Sequence, residues 1–576
     1  MLPDPANGSS KLSQVRSFSE PLRLQLTPTS AAAASDRAAG SRIEIDSRAE
    51  EIETVAAICH PGAVSTSHEP RHSLDRKAES AVVRISAPEN GINRPGKLIS
   101  KESTGWPDDI GFQQVEMIDS VIPSVASGSY PARTGNALYP LIDGEPTFRR
   151  ICEAIDMARS SVWVTVAFMW ASFEMPDGRG TPLDVLGRAA ERGLDVRMIC
   201  WRPDAETEQF KRNAFWGSED HFNQLQAGGL GIRIRWDRAQ PGFCQHQKSW
   251  LIDAGEKTEI AFIGGINLNP HSMVAPGHHG EGHNHDVYVE LVGTSTVDVH
   301  HNFVQRWNEA SERDSSDGRW GQGSDDDLPF PTTVPCPRGN AIVQIQRTVH
   351  SGRYTDGRST PQGLPFNVTL GERSNFDQYS AAIGAARSSI YIEHQCITVP
   401  DIVGSLHQAL QRNVEVTLVL PAEQTISSEL LDLVKYENLT LAGIAGVGFD
   451  GERKPVWVHA KLMVVDDVWA TIGSCNLHYA SLFGNAELNA ACWHPDTART
   501  LRAKLLQEHL DHDTSNMDDR AALRLFRKIA MANRRRFDIG ENAWQGLAFS
   551  LVPAVKFPIN PGNAQGQGIS SKSLGG

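Results

Sequence analysis

Two stretches of the chain share one pattern of apolar and polar positions. At 456–477, VWVHAKLMVVDDVWATIGSCNL, an apolar run is interrupted by His459 and Lys461 and resumes as Leu462–Val465. It reaches Asp466, and a second short run then ends at Gly473, Ser474 and Asn476. At 246–267, HQKSWLIDAGEKTEIAFIGGIN, His246, Lys248 and Asp253 repeat the spacing, and Gly264, Gly265 and Asn267 follow after a longer spacer. Each stretch predicts two strands joined by a turn, the longer spacer being a hairpin loop at AGEKTE. Alternation along a strand puts each His and Lys on one face.

The pattern around these stretches is also doubled. AIDMARSSVWV at 154–164 aligns with AIGAARSSIYI at 382–392, each an amphipathic helix running into an apolar strand. RGLDVRMIC at 192–200 aligns with RNVEVTLVL at 412–420. Three landmarks in one order imply an internal duplication, each copy an α/β unit. The boundaries read as a first repeat over 106–314, an acidic, Pro-rich linker at 315–340 with solvated charges, and a second repeat with a C-terminal extension over 341–576. Residues 1–105 are rich in Ser, Ala, Arg, Glu and Pro without a sustained period, which predicts a disordered tail.

Composition changes this picture little. The chain has 576 residues, 40% hydrophobic and 22% charged, enough for large cores. Its net charge of −14 argues against a nucleic-acid partner. No apolar run is long enough for a membrane span, and no apolar N-terminal segment marks a secretory signal. A cytoplasmic protein, or one exported by a specialised route, is expected. The eight cysteines are scattered with no CxxC pair, which reads as free thiols.

The repeated residues suit phosphate chemistry. An imidazole can attack phosphorus or protonate a leaving oxygen, and an ammonium holds negative charge beside it. The Ser474 hydroxyl, the amides of Asn267 and Asn476 and the backbone N–H groups of Gly473–Asn476 and around Gly265 could hold the remaining oxygens. A transfer through an enzyme intermediate needs both a nucleophile and a proton donor, which two copies would supply.

The two stretches resemble the HKD motifs of the phospholipase D superfamily. HDVYVELVG at 285–293, NFVQRWN at 302–308, GGINL at 264–268, IYIEHQ at 390–395 and SLFGNAE at 481–487 resemble segments of its eukaryotic-type branch. The resemblance covers roughly 136–560. It implies two phospholipase D-like α/β/α repeats packed about a pseudo-twofold axis, with both motifs in one pocket. It implies His246 as nucleophile forming a phosphohistidine and His459 as proton donor. Glu487 would orient His459 and Asp286 would orient His246, while Asp253 and Asp466 would make structural bonds. The implied reaction is hydrolysis of the distal phosphodiester of glycerophospholipids at a membrane surface, with transfer to alcohols competing. The alternatives are a cardiolipin-synthase-like phosphatidyltransferase and a nuclease or other phosphodiesterase of the same superfamily. Neither a cofactor nor an obligate protein partner is implied.

The chain departs from the simplest motif pattern at Gly265, where the second motif has Ser474, a Gly the branch tolerates; it departs from the branch at Asn267, where Asp is more usual, and at His394 and Cys396. Three further features carry blander expectations. The His-rich segment GHHGEGHNHD at 277–286 reads as a mobile loop at the pocket mouth rather than a metal centre. The basic segment 523–537 should pack on the second repeat with its Arg face in water. Trp170, Trp201, Phe215, Trp216 and Trp250 read as packing residues.

Overall fold

The computed structural model describes residues 122–202, 229–280, 282–313, 324–423 and 426–552. The expected tail at 1–105, Phe215, Trp216 and the start of the linker lie outside them.

In the first repeat, β1 (Arg133–Ile142) leads into helix α1 (Gly144–Met157), β2 (Ser161–Val166), helix α2 (Pro182–Glu191), β3 (Asp195–Trp201) and β4 (Arg233–Asp237). Then come β5 (Ser249–Ile252), β6 (Ile260–Gly264), β7 (Val287–Gly293) and helix α3 (Thr296–Asn308). The pairing order is β4-β3-β2-β5-β6-β7-β1, with β2, β3 and β4 parallel and the remaining neighbours antiparallel. β2, SVWVTV, is buried along its whole length, as expected of a strand covered on both faces. α1 buries Phe148, Ile151, Cys152 and Ile155, a stripe of helical period that explains its amphipathic pattern.

The second repeat has the same plan. Its strands are β8 (Ala341–Val349), β9 (Ser389–His394), β10 (Glu415–Val419), β11 (Leu439–Val447), β12 (Lys461–Val465), β13 (Trp469–Gly473) and β14 (Glu487–Trp493). They pair as β11-β10-β9-β12-β13-β14-β8, with the same parallel and antiparallel steps. Helices α4 (Ser374–Ala385) and α5 (Pro400–Gln411) occupy the positions of α1 and α2, and α6 (Pro495–Leu510) follows β14 as α3 follows β7. The repeats meet where β1 pairs with β8, Asn136 opposite Ala341. Antiparallel pairing of two equivalent strands is what a local twofold axis produces. A shared core joins Leu251, Val289 and Phe303 of the first repeat to Val464, Leu488 and Leu505 of the second.

The C-terminal extension adds helix α7 (Asp519–Asp538) and β15 (Ala548–Ser550), which pairs with β11. α7 buries Leu523, Phe526, Ile529 and Ala530, and Arg524 reaches Glu415 of β10 at 3.1 Å. Trp201 and Trp250 are buried. No helix of the described residues is long and apolar enough to cross a membrane.

Two sequence expectations are corrected. Two charges near the end of the linker are not simply solvated: Asp326 pairs with Arg197 at 3.0 Å, and Asp327 pairs with the buried Arg235 at 3.1 Å. The linker therefore folds back onto β3 and β4. The His-rich segment is not a mobile loop either, because His278 and His285 are fully buried against carboxylates from distant elements. Its glycines shape the path instead: Gly277, Gly280 and Gly282 have φ of 94°, 117° and 79°, conformations that need the missing Cβ.

Candidate active site

Each histidine precedes a motif strand. His246 lies three residues before β5, and His459 lies two before β12. A crossover from the other repeat holds each one. His246 N donates to Ala486 O, and Ala486 N donates back to Cys244 O. Equivalently, Asn284–His285 pairs with Trp457–Val458 as a two-stranded ribbon, and His459 N donates to His285 O at 2.8 Å. The residue that follows each crossover is a carboxylate.

This geometry reverses the expected pairing. His246 Nδ1 donates to Glu487, with both carboxylate oxygens at 3.0 Å, and His459 Nδ1 donates to Asp286 Oδ2 at 2.6 Å. Proximity in sequence suggested a partner within the same repeat. The crossovers instead deliver each carboxylate to the opposite repeat, so neither dyad exists within one copy.

The lysines are arranged alike. Lys248 Nζ donates to His246 O at 2.8 Å, Lys461 Nζ donates to His459 O, and Gln395 Oε1 lies 3.5 Å from Lys461 Nζ. The side-chain oxygens of Asn267 and Asn476 are buried and accept no hydrogen bond from the described residues. Phe168 lies edge-on to His246, and Lys248 Nζ sits 5.9 Å from the centre of its ring.

Ser474 serves differently from the expectation. Its hydroxyl donates to Glu487 Oε2 at 2.6 Å and accepts from Leu488 N at 3.0 Å, so it braces the carboxylate. Gly265, its counterpart, has a steric reason: a Cβ there would stand 2.4 Å from Asp286 Oδ1. At Gly264 a Cβ would meet Val287 O at 2.4 Å, and at Gly473 it would meet Asn489 Oδ1 at 2.1 Å. The Gly positions let β7 and β14 approach closely enough to carry the carboxylates.

Asp253 and Asp466 stand away from the histidines. Asp253 Oδ1 accepts from Arg159 N at 2.7 Å and Ser160 N at 2.9 Å, and Asp466 accepts from Arg387 N, Ser388 N and Ser389 N. Each ties its motif to the duplicated Arg-Ser-Ser that opens β2 or β9. Both have φ of 54°, which Asp tolerates.

The electrostatics of the two dyads differ. Burial holds the His246 pKa below its ordinary value; Lys248 and Lys461 push the same way and Glu487 opposes them. Burial raises Glu487, but the neighbouring His246 overcomes this, and its carboxyl stays below the usual range. The lowered pKa favours the neutral imidazole, and the Glu487 carboxylate beside Nδ1 favours the tautomer that carries its proton there and its lone pair on Nε2. Burial pushes Asp286 up to about 7 against the pull of Lys461, so the His459–Asp286 pair carries an exchangeable proton near neutrality. Burial and Lys461 bring Lys248 down to about 8.

Sequence reasoning missed the second tier. Ser481 Oγ donates to Glu487 Oε1 at 2.5 Å, and Asn485 Nδ2 donates to the same oxygen at 3.3 Å. Both lie in SLFGNAE, where the short helix Tyr479–Phe483 turns the chain back toward Glu487. His394, one of the departures, is buried with its pKa well below the ordinary value through desolvation and Lys461.

A family model described as the PLD-like domain of cardiolipin synthase matches residues 151–307 and 379–509, half of the chain and both dyads. The chain belongs to the phospholipase D superfamily. Within this superfamily it is similar to cardiolipin synthase 1 of Staphylococcus epidermidis, 24% identical over 62% of this chain and 65% of that protein. A cardiolipin synthase of Listeria monocytogenes is 22% identical over 65% of this chain and 69% of its own length. Phospholipase D alpha 1 of rice, Oryza sativa subsp. japonica, is 22% identical over 65% of this chain and 62% of its own. The chain thus spans about two thirds of the length of these relatives. A solved phosphatidylserine synthase of Haemophilus influenzae superposes with a TM-score of 0.45 at 13% identity, over 71% of this chain and 96% of that one. The candidate site of this superfamily member is made jointly by the two repeats.

Proposed function

We propose that the protein transfers a phosphatidyl group from a glycerophospholipid to the hydroxyl of an acceptor lipid at a membrane surface, in the manner of a cardiolipin synthase. The observation that carries this reading is the match of both halves of the site to the cardiolipin synthase domain, with relatives of that name. In the first step His246 Nε2 attacks phosphorus. The bond to the head-group oxygen breaks, and that oxygen takes the proton of His459. In the second step the acceptor hydroxyl gives its proton to His459 and attacks phosphorus, breaking the P–N bond and freeing His246. Lys248, Lys461, Asn267 and Asn476 balance the charge on the non-bridging oxygens. Glu487 and Asp286 fix the ring orientations. With water as acceptor the same steps give phosphatidate, the phospholipase D hydrolysis expected from the sequence, and the rice relative favours that second outcome.

The test is mass spectrometry of products from phosphatidylglycerol vesicles, with His246→Ala as control. Diphosphatidylglycerol and free glycerol from the wild type alone would support transfer. Phosphatidate alone would reassign the protein as a hydrolase, and an unchanged vesicle would refute a phospholipid substrate.

A further inference from the structure

The His-rich segment builds a second cluster behind the site. Asp143 at the start of α1, His278, His285 and Glu508 of α6 converge, one ligand atom from each lying within 4.8 Å of the others. His278 Nε2 lies 3.2 Å from His285 Nδ1, 3.3 Å from Asp143 Oδ2 and 3.3 Å from Glu508 Oε1. His285 Nδ1 lies 2.9 Å from Asp143 Oδ1. A tetrahedral cation with bonds of about 2.0–2.1 Å holds its ligand atoms roughly 3.3 Å apart, which the three distances from His278 Nε2 match, and the whole set lies within 4.8 Å.

Hydrogen bonding alone leaves this cluster badly satisfied. Two ring nitrogens face each other, and each also faces a carboxylate. Among the described residues Glu508 Oε2 is buried and accepts no hydrogen bond, and Asp143 Oδ2, in a wholly enclosed side chain, meets only His278 Nε2, at 3.3 Å and outside good hydrogen-bond geometry. Such oxygens are costly unless something cationic meets them.

The surroundings are those of a metal site. The other nitrogen of His285, Nε2, donates to Glu393 Oε2 at 2.8 Å. Glu393 Oε1 in turn accepts from His509 Nε2 at 2.9 Å and from the Tyr391 hydroxyl at 2.5 Å. A carboxylate behind a ligating imidazole fixes its tautomer and strengthens it as a ligand. A cavity of about 950 Å³, lined by Gly277, Lys504 and Glu508 among others, gives a path to the cluster.

We propose that Asp143, His278, His285 and Glu508 bind a structural divalent cation of the zinc class. Two imidazoles with two carboxylates favour zinc over magnesium or calcium, and four protein ligands leave no open position for catalysis. The cation joins α1 and the His-rich segment of the first repeat to α6 of the second. It holds His285, whose carbonyl accepts from His459 N and Ala460 N and whose next residue is Asp286. It is thus a positioning element for the His459–Asp286 dyad, separate from the reacting groups.

The full chain is stripped with chelator and titrated with zinc alone by calorimetry, and its metal content after desalting is measured by plasma mass spectrometry. Cobalt substitution is followed by visible absorption. About one equivalent per chain, an intense tetrahedral cobalt spectrum and a zinc-dependent rise in Tm are expected. His278→Gln and Glu508→Gln should weaken binding at least tenfold and abolish the Tm response. Glu508, at the cavity wall, keeps the test decisive if His278→Gln does not fold. Wild-type protein that retains under a tenth of an equivalent, or variants that bind zinc as well as wild type does, would overturn the proposal. Neither readout depends on lipid turnover, so it stands or falls apart from the proposed reaction.

Discussion

The crossed pairing makes a prediction that the reverse wiring does not. Glu487→Gln keeps the shape of a buried side chain but removes its charge and one acceptor. Four donors converge on this carboxylate: His246 Nδ1, Ser474 Oγ, Ser481 Oγ and Asn485 Nδ2. A glutamine offers one oxygen, so at least one donor will face an NH₂ group. Losing a charge-assisted hydrogen bond costs about 1.5–3 kcal/mol. If that loss falls on the orientation of His246, attack slows roughly 10- to 100-fold at 1.36 kcal/mol per decade. Asp286→Asn instead weakens His459, the proton donor of the proposed mechanism. A p-nitrophenyl phosphodiester separates the two, because its leaving group departs without a proton. In rapid-mixing experiments Asp286→Asn should keep a normal burst of nitrophenolate followed by slow turnover. Glu487→Gln should lose the burst itself. A normal burst in Glu487→Gln together with a lost burst in Asp286→Asn would refute the crossed assignment.

Four further expectations follow from the same site. Lys248→Met should abolish turnover yet raise stability. The folded pKa of Lys248 lies at about 8, below its ordinary 10.5, so the buried charge is a penalty fully present below pH 8 that fades as pH rises toward 10.5. The variant should therefore gain about 2 kcal/mol at pH 7, net of the hydrogen bond to His246 O, and lose about 1 kcal/mol above pH 10.5, where only the lost bond counts, measured by denaturant unfolding. His459→Ala should reduce turnover of natural phospholipids to background, and Lys461→Ala should cost roughly 3 kcal/mol of transition-state stabilisation in kcat/KM. Asp466→Ala strands the N–H groups of Arg387, Ser388 and Ser389; it should lower stability by about 2 kcal/mol while kcat of the folded fraction changes little.

The duplication was legible because spacing along a strand and apolar periodicity are local quantities. H-x-K-x4-D and the Arg-Ser-Ser ahead of β2 and β9 sit at fixed offsets within single elements. Partner assignment is not local. Nothing within 246–267 says that its imidazole will meet a carboxylate from 487, because that contact depends on how the two repeats dock. The same limit explains the His-rich segment. Glycine spacing alone suggests floppiness, whereas Asp143, Glu393 and Glu508 come from other parts of the chain. Ser474 was misjudged for a related reason: sequence shows a hydroxyl beside the motif but not that Glu487 lies within its reach.

Because each dyad takes its imidazole from one repeat and its carboxylate from the other, activity behaves as a logical AND over the whole fold. A nascent chain that has completed only its first copy holds a histidine without its anchor, and so does a fragment cut in the linker. The complete candidate site therefore appears in one step, when the second copy docks, and no half-made form of the protein holds either dyad on the way.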